Sequence, residues 1–322
     1  MSIDEIESYY SENYNVIFDY SQVFEENNYY IYNCETDEKQ KWLHIKDAKS
    51  KCRFCGQEKP VAAFKKVAHT IPELLGNKRI ISIENECDAC NSLFSNYERD
   101  LTTFLLPYLI TNGIKGKHGT RKYKTLDGKS SITFKDDLIQ VCEEQGFSRI
   151  SEDEEKHEME YKYYCDGYVK NNIYKILAKI ALALLPEEVF KNFHFTSSSL
   201  ISSARPSGLE KIRFTVYKGL GVFGLNVRGY LRKTDNIFKP SYIFYLCCGN
   251  FTFQVPLFSD ADIKKFKPEE SFQLEFYELD DLKQKMNGEK PSSIIIDCTN
   301  TELIEKGFKT ILLHYDEKRE VL

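Results

Sequence analysis

Four cysteines arrive in two pairs, Cys52-x-x-Cys55 and Cys87-x-x-Cys90, with His69 between the pairs and Asn91 directly after the second. A two-residue spacing lets both thiolates of a pair turn inward from one knuckle, and two such pairs supply the four ligands of one tetrahedral zinc ion. The 31 residues between the pairs, 56–86, exceed what a compact zinc ribbon needs, so the ion closes a loop with something built inside it. That insert holds His69 and Pro72. The chemistry on offer is hydrolytic. A neutral imidazole takes a proton from water. Amide and carboxylate oxygens suit a hydrated Mg²⁺-type dication that binds phosphate directly. Phosphodiester hydrolysis fits such a set, with the thiolates holding a separate, closed structural ion.

The elements that must position these residues follow from the pattern. Residues 64–70 read as a short strand ending near His69, because Pro72 disfavours helix at Ile71. Residues 72–76 read as one helical turn closed by glycine, and residues 80–83 as a second strand. From Asp88 a helix is expected to about Leu106, with Leu93, Phe94, Tyr97, Leu101, Phe104 and Leu105 on its apolar side and Pro107 ending it. Histidine on a first strand and asparagine near the start of a helix make a ββα unit. So short a unit buries little apolar area, which is why a metal staple matters to it. Glu98 lies about two turns beyond Asn91 on the same helix face, roughly 10 Å along the axis.

The rest of the chain divides by composition. Residues 1–48 form an acidic lead-in segment, with 3 Lys/Arg against 11 Asp/Glu and a β-leaning alternation near residues 29–32. Residues 49–110 are the cysteine module. Residues 111–160 hold a basic connection, a hairpin turning at Asp127-Gly128 and an acidic run over 151–160 that reads as a solvated linker or helix face. Residues 161–322 read as an α+β domain of unassigned role: a helix over 173–184 closed by Pro186, then strands over 212–217, 222–231, 242–256 and 293–298. The fold class expected is therefore α+β, a zinc-bound ββα unit followed by a larger α+β domain with a β-rich end. Cys34, Cys142, Cys165, Cys247, Cys248 and Cys298 lack ligand spacing, and Cys247-Cys248 read as strand residues.

Charge narrows the partners. The chain is −5 overall, yet residues 49–129 carry 15 Lys/Arg against 8 Asp/Glu, a net of +7. A basic segment inside an acidic protein points to a local polyanion contact, with Lys65, Lys66, Lys78, Arg79, Lys115, Lys117, Arg121, Lys122 and Lys124 as phosphate-contact candidates. The acidic start does not read as a signal peptide, and no apolar run reaches the ~18 residues of a membrane span. Ten cysteines without a secretion signal then predict a reducing, cytoplasmic setting.

At these residues the sequence resembles the HNH endonucleases. The match is to the branch that runs CxxC, a His-x-x-Pro-Glu-x-x-Gly block, CxxCN and an acid further along the helix. Here those are Cys52-Arg-Phe-Cys55, His69-Thr-Ile-Pro72-Glu73-Leu-Leu-Gly76-Asn77, Cys87-Asp-Ala-Cys90-Asn91 and Glu98. The resemblance covers roughly residues 50–105. It implies His69 as general base, Asn91 on a catalytic Mg²⁺ or Mn²⁺ and Cys52, Cys55, Cys87 and Cys90 on a structural zinc. Many members place an acid immediately before the histidine as a metal ligand, and this chain has Ala68. Either Glu98 or another nearby acid replaces it, or the ion binds weakly; the other role open to Glu98 is to orient a ligand or the base. The asparagine that fixes the histidine loop in the family corresponds to Asn77 or Asn85.

The function expected is a metal-dependent endonuclease acting on DNA, of the kind found in bacterial defence or mobile elements, with residues 161–322 serving substrate selection, a protein partner or a homodimer. The alternative is a non-catalytic zinc module that binds nucleic acid or protein, with Ala68 marking lost catalysis.

Overall fold

The structure, a computed structural model, describes residues 14–19, 43–45, 51–77, 80–82, 85–202, 207–219, 223–266, 291–315 and 318 of the chain. Of the lead-in segment this includes β1 (Tyr14–Asp19) and β2 (Leu43–Ile45), while the alternation expected near residues 29–32 lies outside the described residues. The cysteine module then contributes β3 (Ala68–His69) and β4 (Ile80–Ser82), paired antiparallel with His69 opposite Ile81, and β2 joins β4 in parallel. The strand expected over 64–70 is thus only two residues long. The backbone amides of Lys65 and Lys66 both donate to Asp88 Oδ1, at 3.0 and 2.9 Å, so an aspartate at a helix start takes the place of a strand partner.

Helix α1 (Asp88–Thr111) runs through Pro107 instead of ending there. A proline inside a helix costs about 3 kcal/mol. Continuing the helix completely buries Leu109 and Ile110, each contributing roughly 1.5–3 kcal/mol, so the extra turn forms. It stops at Asn112, whose side-chain amide donates to the carbonyl of Tyr108 and to Asn250 Oδ1, both at 2.8 Å.

After α1 come the short hairpin β5 (Lys115–Gly116) and β6 (Gly119–Thr120), and then the sheet of β7 (Lys122–Lys124), β8 (Ser130–Lys135) and β9 (Leu138–Glu143). The turn at Asp127-Gly128 falls between β7 and β8 as expected, held by Thr125 and Lys129 donating to Asp127 Oδ1. The acidic run over 151–160 is neither linker nor helix. It is the hairpin of β10 (Ile150–Asp153) and β11 (Glu158–Cys165). On β11 the charges of Glu158 and Glu160 take the outward positions, and Tyr161, Tyr163 and Cys165 fill the inward ones.

Helix α2 (Lys170–Ala183) matches the periodic segment, followed by α3 (Glu187–Phe190) and α4 (His194–Ile201). The remaining elements are β12 (Lys211–Val216), β13 (Phe223–Arg232), β14 (Tyr242–Gly249), β15 (Phe251–Leu257), α5 (Asp260–Lys265), β16 (Ser292–Asp297) and β17 (Gly307–His314). The single strand expected over 242–256 is a hairpin broken at Gly249-Asn250. Gly249 has φ 60°, and a Cβ there would lie 2.7 Å from Asn112 Cγ, so only glycine lets the hairpin approach the end of α1 so closely. Cys247 and Cys248 are buried strand residues, as read.

The architecture is α+β. One antiparallel sheet has the order β1-β13-β14-β15-β12-β16, and β11 lies between β10 and β17 in another. Helix α1 packs on α2, and its Phe104 and Tyr108 rings meet Phe214 at 5.1 and 5.2 Å on the six-stranded sheet. The cysteine module therefore shares one apolar core with the C-terminal strands. Among the described residues no helix is long and apolar enough to cross a membrane.

Candidate functional site

The Cys52–Cys55 knuckle is turned by the amide of Gly56 donating to the carbonyl of Cys52, with Gly56 at φ 71°, a left-handed conformation natural to glycine. The second pair enters α1: Cys87 caps the helix and Cys90 lies in its first turn. All four Sγ atoms lie within 4.8 Å of one another, and Cys55 and Cys87 approach to 3.7 Å. Four sulfurs about 2.3 Å from a common ion would stand about 3.8 Å apart, so the quartet fits a tetrahedral thiophilic dication such as zinc. Electrostatics agree. Hydrogen bonding from Cys90, then from backbone amides of the knuckle, holds the Cys52 thiol down at about 5, while burial and its sulfur neighbours push Cys55 up to about 11. Hydrogen bonding to Cys52 followed by burial pushes Cys90 up too. A dication is what would let all four ionise together.

From this clamp the chain presents His69 on β3 and Asn91 in the first full turn of α1. His69, Asn91 and Glu98 all line one cavity of about 710 Å³. Its helix wall is the stripe Asn91, Ser95, Glu98 and Thr102, and its second wall is Val67, His69, Glu73 and Leu74. The third wall is residues 116–122, with His118 and three of the phosphate-contact candidates, Lys117, Arg121 and Lys122. This basic hairpin docks closely on the histidine turn, for a Cβ at Gly116 would lie 3.5 Å from the carbonyl oxygen of Glu73.

His69 is half-buried, and its Nε2 stands 3.7 Å from Glu73 Oε1. Burial lowers its pKa, with Lys179 and Lys117 adding to the effect and Glu73 opposing it, so the ring is neutral at neutral pH. Glu73 begins the single helical turn Glu73–Leu75, closed by Gly76, as expected. Asn77 donates to the carbonyl of Ile71, two residues after His69, and so ties down the histidine loop. The carboxamide of Asn91 makes no hydrogen bond among the described residues and is available as a ligand. Glu98 is pushed up by burial, with Glu86 and Glu73 adding and Lys179 opposing.

Ala68 is completely buried, and the acids that line the cavity with His69 are Glu73 and Glu98. Among the described residues no His, Cys, Asp or Glu trio other than the cysteines brings its ligand atoms within reach of a single ion. A donor set of one carboxamide and one or two carboxylates still fits a hydrated ion that completes its shell with water and substrate phosphate.

Of the other basic candidates, Lys65 and Lys66 use their amides on Asp88, and Lys66 Nζ also reaches Ser92 at 3.3 Å. Lys78 and Arg79 lie outside the described residues. Three further residues escaped the sequence reading as site residues: Glu73, quoted only within the motif; His118; and Lys179 of α2, which reaches the His69 carbonyl from 110 residues away.

Residues 52–102 match the family model described as HNH endonuclease. No curated protein and no solved structure matches the chain. The matched segment contains all four cysteines, His69, Asn91 and Glu98, and it leaves out the basic hairpin and α2.

Proposed function

We propose that the protein is a metal-dependent endonuclease that hydrolyses phosphodiester bonds in DNA. The observation that carries this reading is the single cavity that gathers an imidazole, a carboxamide and a carboxylate against a wall of cations. Asn91, with Glu98 or Glu73 in place of the acid missing at Ala68, would hold a Mg²⁺ or Mn²⁺ ion, and Cys52, Cys55, Cys87 and Cys90 would hold zinc. The catalytic ion would supply charge stabilisation at the scissile phosphate and the leaving oxygen.

The chain's own groups do the rest. Lys117, Arg121 and Lys122 hold the sugar–phosphate backbone against α1. His69, neutral because it is half-buried, accepts a proton at Nε2 from the water whose oxygen bonds to phosphorus as the P–O bond to the leaving sugar breaks. The carboxylate of Glu73, 3.7 Å from that nitrogen, stabilises the imidazolium that results. The leaving oxygen takes its proton from solvent.

The test is cleavage of supercoiled plasmid with Mg²⁺ or Mn²⁺. His69→Ala is expected to cost at least ~10²-fold, within the range for loss of a general base, with zinc content unchanged. The second reading, a zinc module that binds nucleic acid without cutting it, rests on Ala68. Wild-type protein that shifts DNA in a gel yet never cuts it with either metal would favour that reading.

A further inference from the structure

Three successive carbonyls follow the histidine ring, and side chains occupy each of them. Lys179 Nζ donates to the carbonyl of His69 at 2.9 Å and to that of Thr70 at 3.5 Å, and Asn77 takes that of Ile71. Asn77 belongs to the same loop. Lys179 belongs to α2, outside the segment that the HNH family model matches. Its ammonium also lies 3.0 Å from Glu86 Oε2 and 5.6 Å from the centre of the Phe94 ring, and the Lys179 and Glu86 side chains are each about 1% exposed. Glu86 directly precedes Cys87, so one buried ion pair joins α2, the histidine loop and the second cysteine pair.

Taking an ammonium and a carboxylate out of water costs several kcal/mol for each ion, and an apolar pair of similar volume often serves stability as well or better. Stability alone therefore does not account for a lysine here. What the ammonium does that an apolar side chain cannot is donate to the backbone on which the imidazole hangs. The far end of α2 is tied to the same module in the same manner: Arg53, inside the first cysteine pair, donates to the carbonyls of Leu182 and Ala183 at 3.1 and 2.8 Å. Those are carbonyls of the last helical turn, where the i→i−4 ladder ends, and that of Leu182 also accepts from the Leu185 amide at 3.3 Å.

We propose that Lys179 is a positioning residue: it fixes the backbone at His69 and Thr70 and thereby sets the imidazole against Asn91 and Glu98, so that the C-terminal part of the chain completes the cleft. The inference rests on the nuclease reading for its catalytic consequence and on the hydrogen bonds alone for its structural one. A catalytic group displaced by about 1 Å can cost ~10²-fold in rate.

The test uses the full chain carrying Lys179→Met together with Glu86→Gln, since the lysine change alone would strand a buried carboxylate. Zinc content and melting temperature report the fold, hydrogen exchange over residues 69–76 reports the loop, and kcat and KM report the cleft. The expected double variant keeps its zinc and melts near the wild type. Its loop amides exchange about tenfold faster, and kcat falls roughly 10- to 100-fold with KM little changed. Wild-type exchange and wild-type kcat in a folded double variant would overturn the proposal.

If the double variant loses zinc or melts early, Glu86→Gln alone decides, because it keeps the lysine donor. Wild-type loop exchange in that protein supports the proposal, and raised exchange overturns it by assigning the loop to the carboxylate. Should wild-type protein cut no DNA, the nuclease reading fails, and the exchange measurement still judges Lys179.

Discussion

In the proposed reaction His69 is the base, and its surroundings set how that reaction would depend on pH. Burial, helped by Lys179 and Lys117, lowers the imidazole pKa, so the base form persists further into acid than for an exposed histidine. Cleavage should therefore hold as pH falls through 6.5, the ordinary histidine value, and be lost only below it. A pH–rate profile of kcat/KM checks this, and an acid limb above that value would show a raised pKa and a different base. At this scale the sequence was informative wherever partners are close along the chain. The cysteine spacing, the His69–Gly76 block and Asn91 were all legible, and the structure gathers them. Lys179 was hidden for a physical reason: it sits among Ile176, Leu177, Ile180 and Ala181 on a helix that reads as core, and its acceptors lie 110 residues away.

Among the elements, the ββα unit owes its order to the sulfur clamp and to its neighbours more than to its own strands. β3 is two residues long and buries little, so the knuckle, Asp88 and the α2 contacts must hold it. Stripping the ion with a chelator should lower the melting temperature and release about one zinc per chain, as measured by calorimetry beside metal quantification; an unchanged melt would show that the thiols pack without metal. Pro107 and the run over 151–160 misled for one reason. Local composition described each segment correctly, but burial of Leu109 and Ile110 in the first case, and of Tyr161 and Tyr163 in the second, outweighed it. Period-two alternation was present over 157–165, masked by the charges of Glu158, Glu160 and Lys162 at outward positions.

For the whole molecule, the sheet order β1-β13-β14-β15-β12-β16 could not be read from sequence, because strands far apart along the chain become neighbours only through the shared core. The segmental charge was readable, and it has a place: three cations of the basic stretch, Lys117, Arg121 and Lys122, face the cavity. Replacing Lys117 and Arg121 with alanine should weaken DNA binding without altering its sequence preference and reduce the slope of log affinity against log salt by about two, as read by titration at several ionic strengths. An unchanged slope would move the phosphate path elsewhere on the surface.

Whether His69 is the base of a metal-dependent nuclease is decided by incubating supercoiled DNA with wild-type and His69→Ala protein across a Mg²⁺ and Mn²⁺ titration, with zinc quantified in both preparations. The predicted result is metal-dependent nicking or linearisation by the wild type and loss of at least ~10²-fold in the variant at equal zinc content. Equal cleavage by the two proteins, or none by either at any metal concentration, would contradict it.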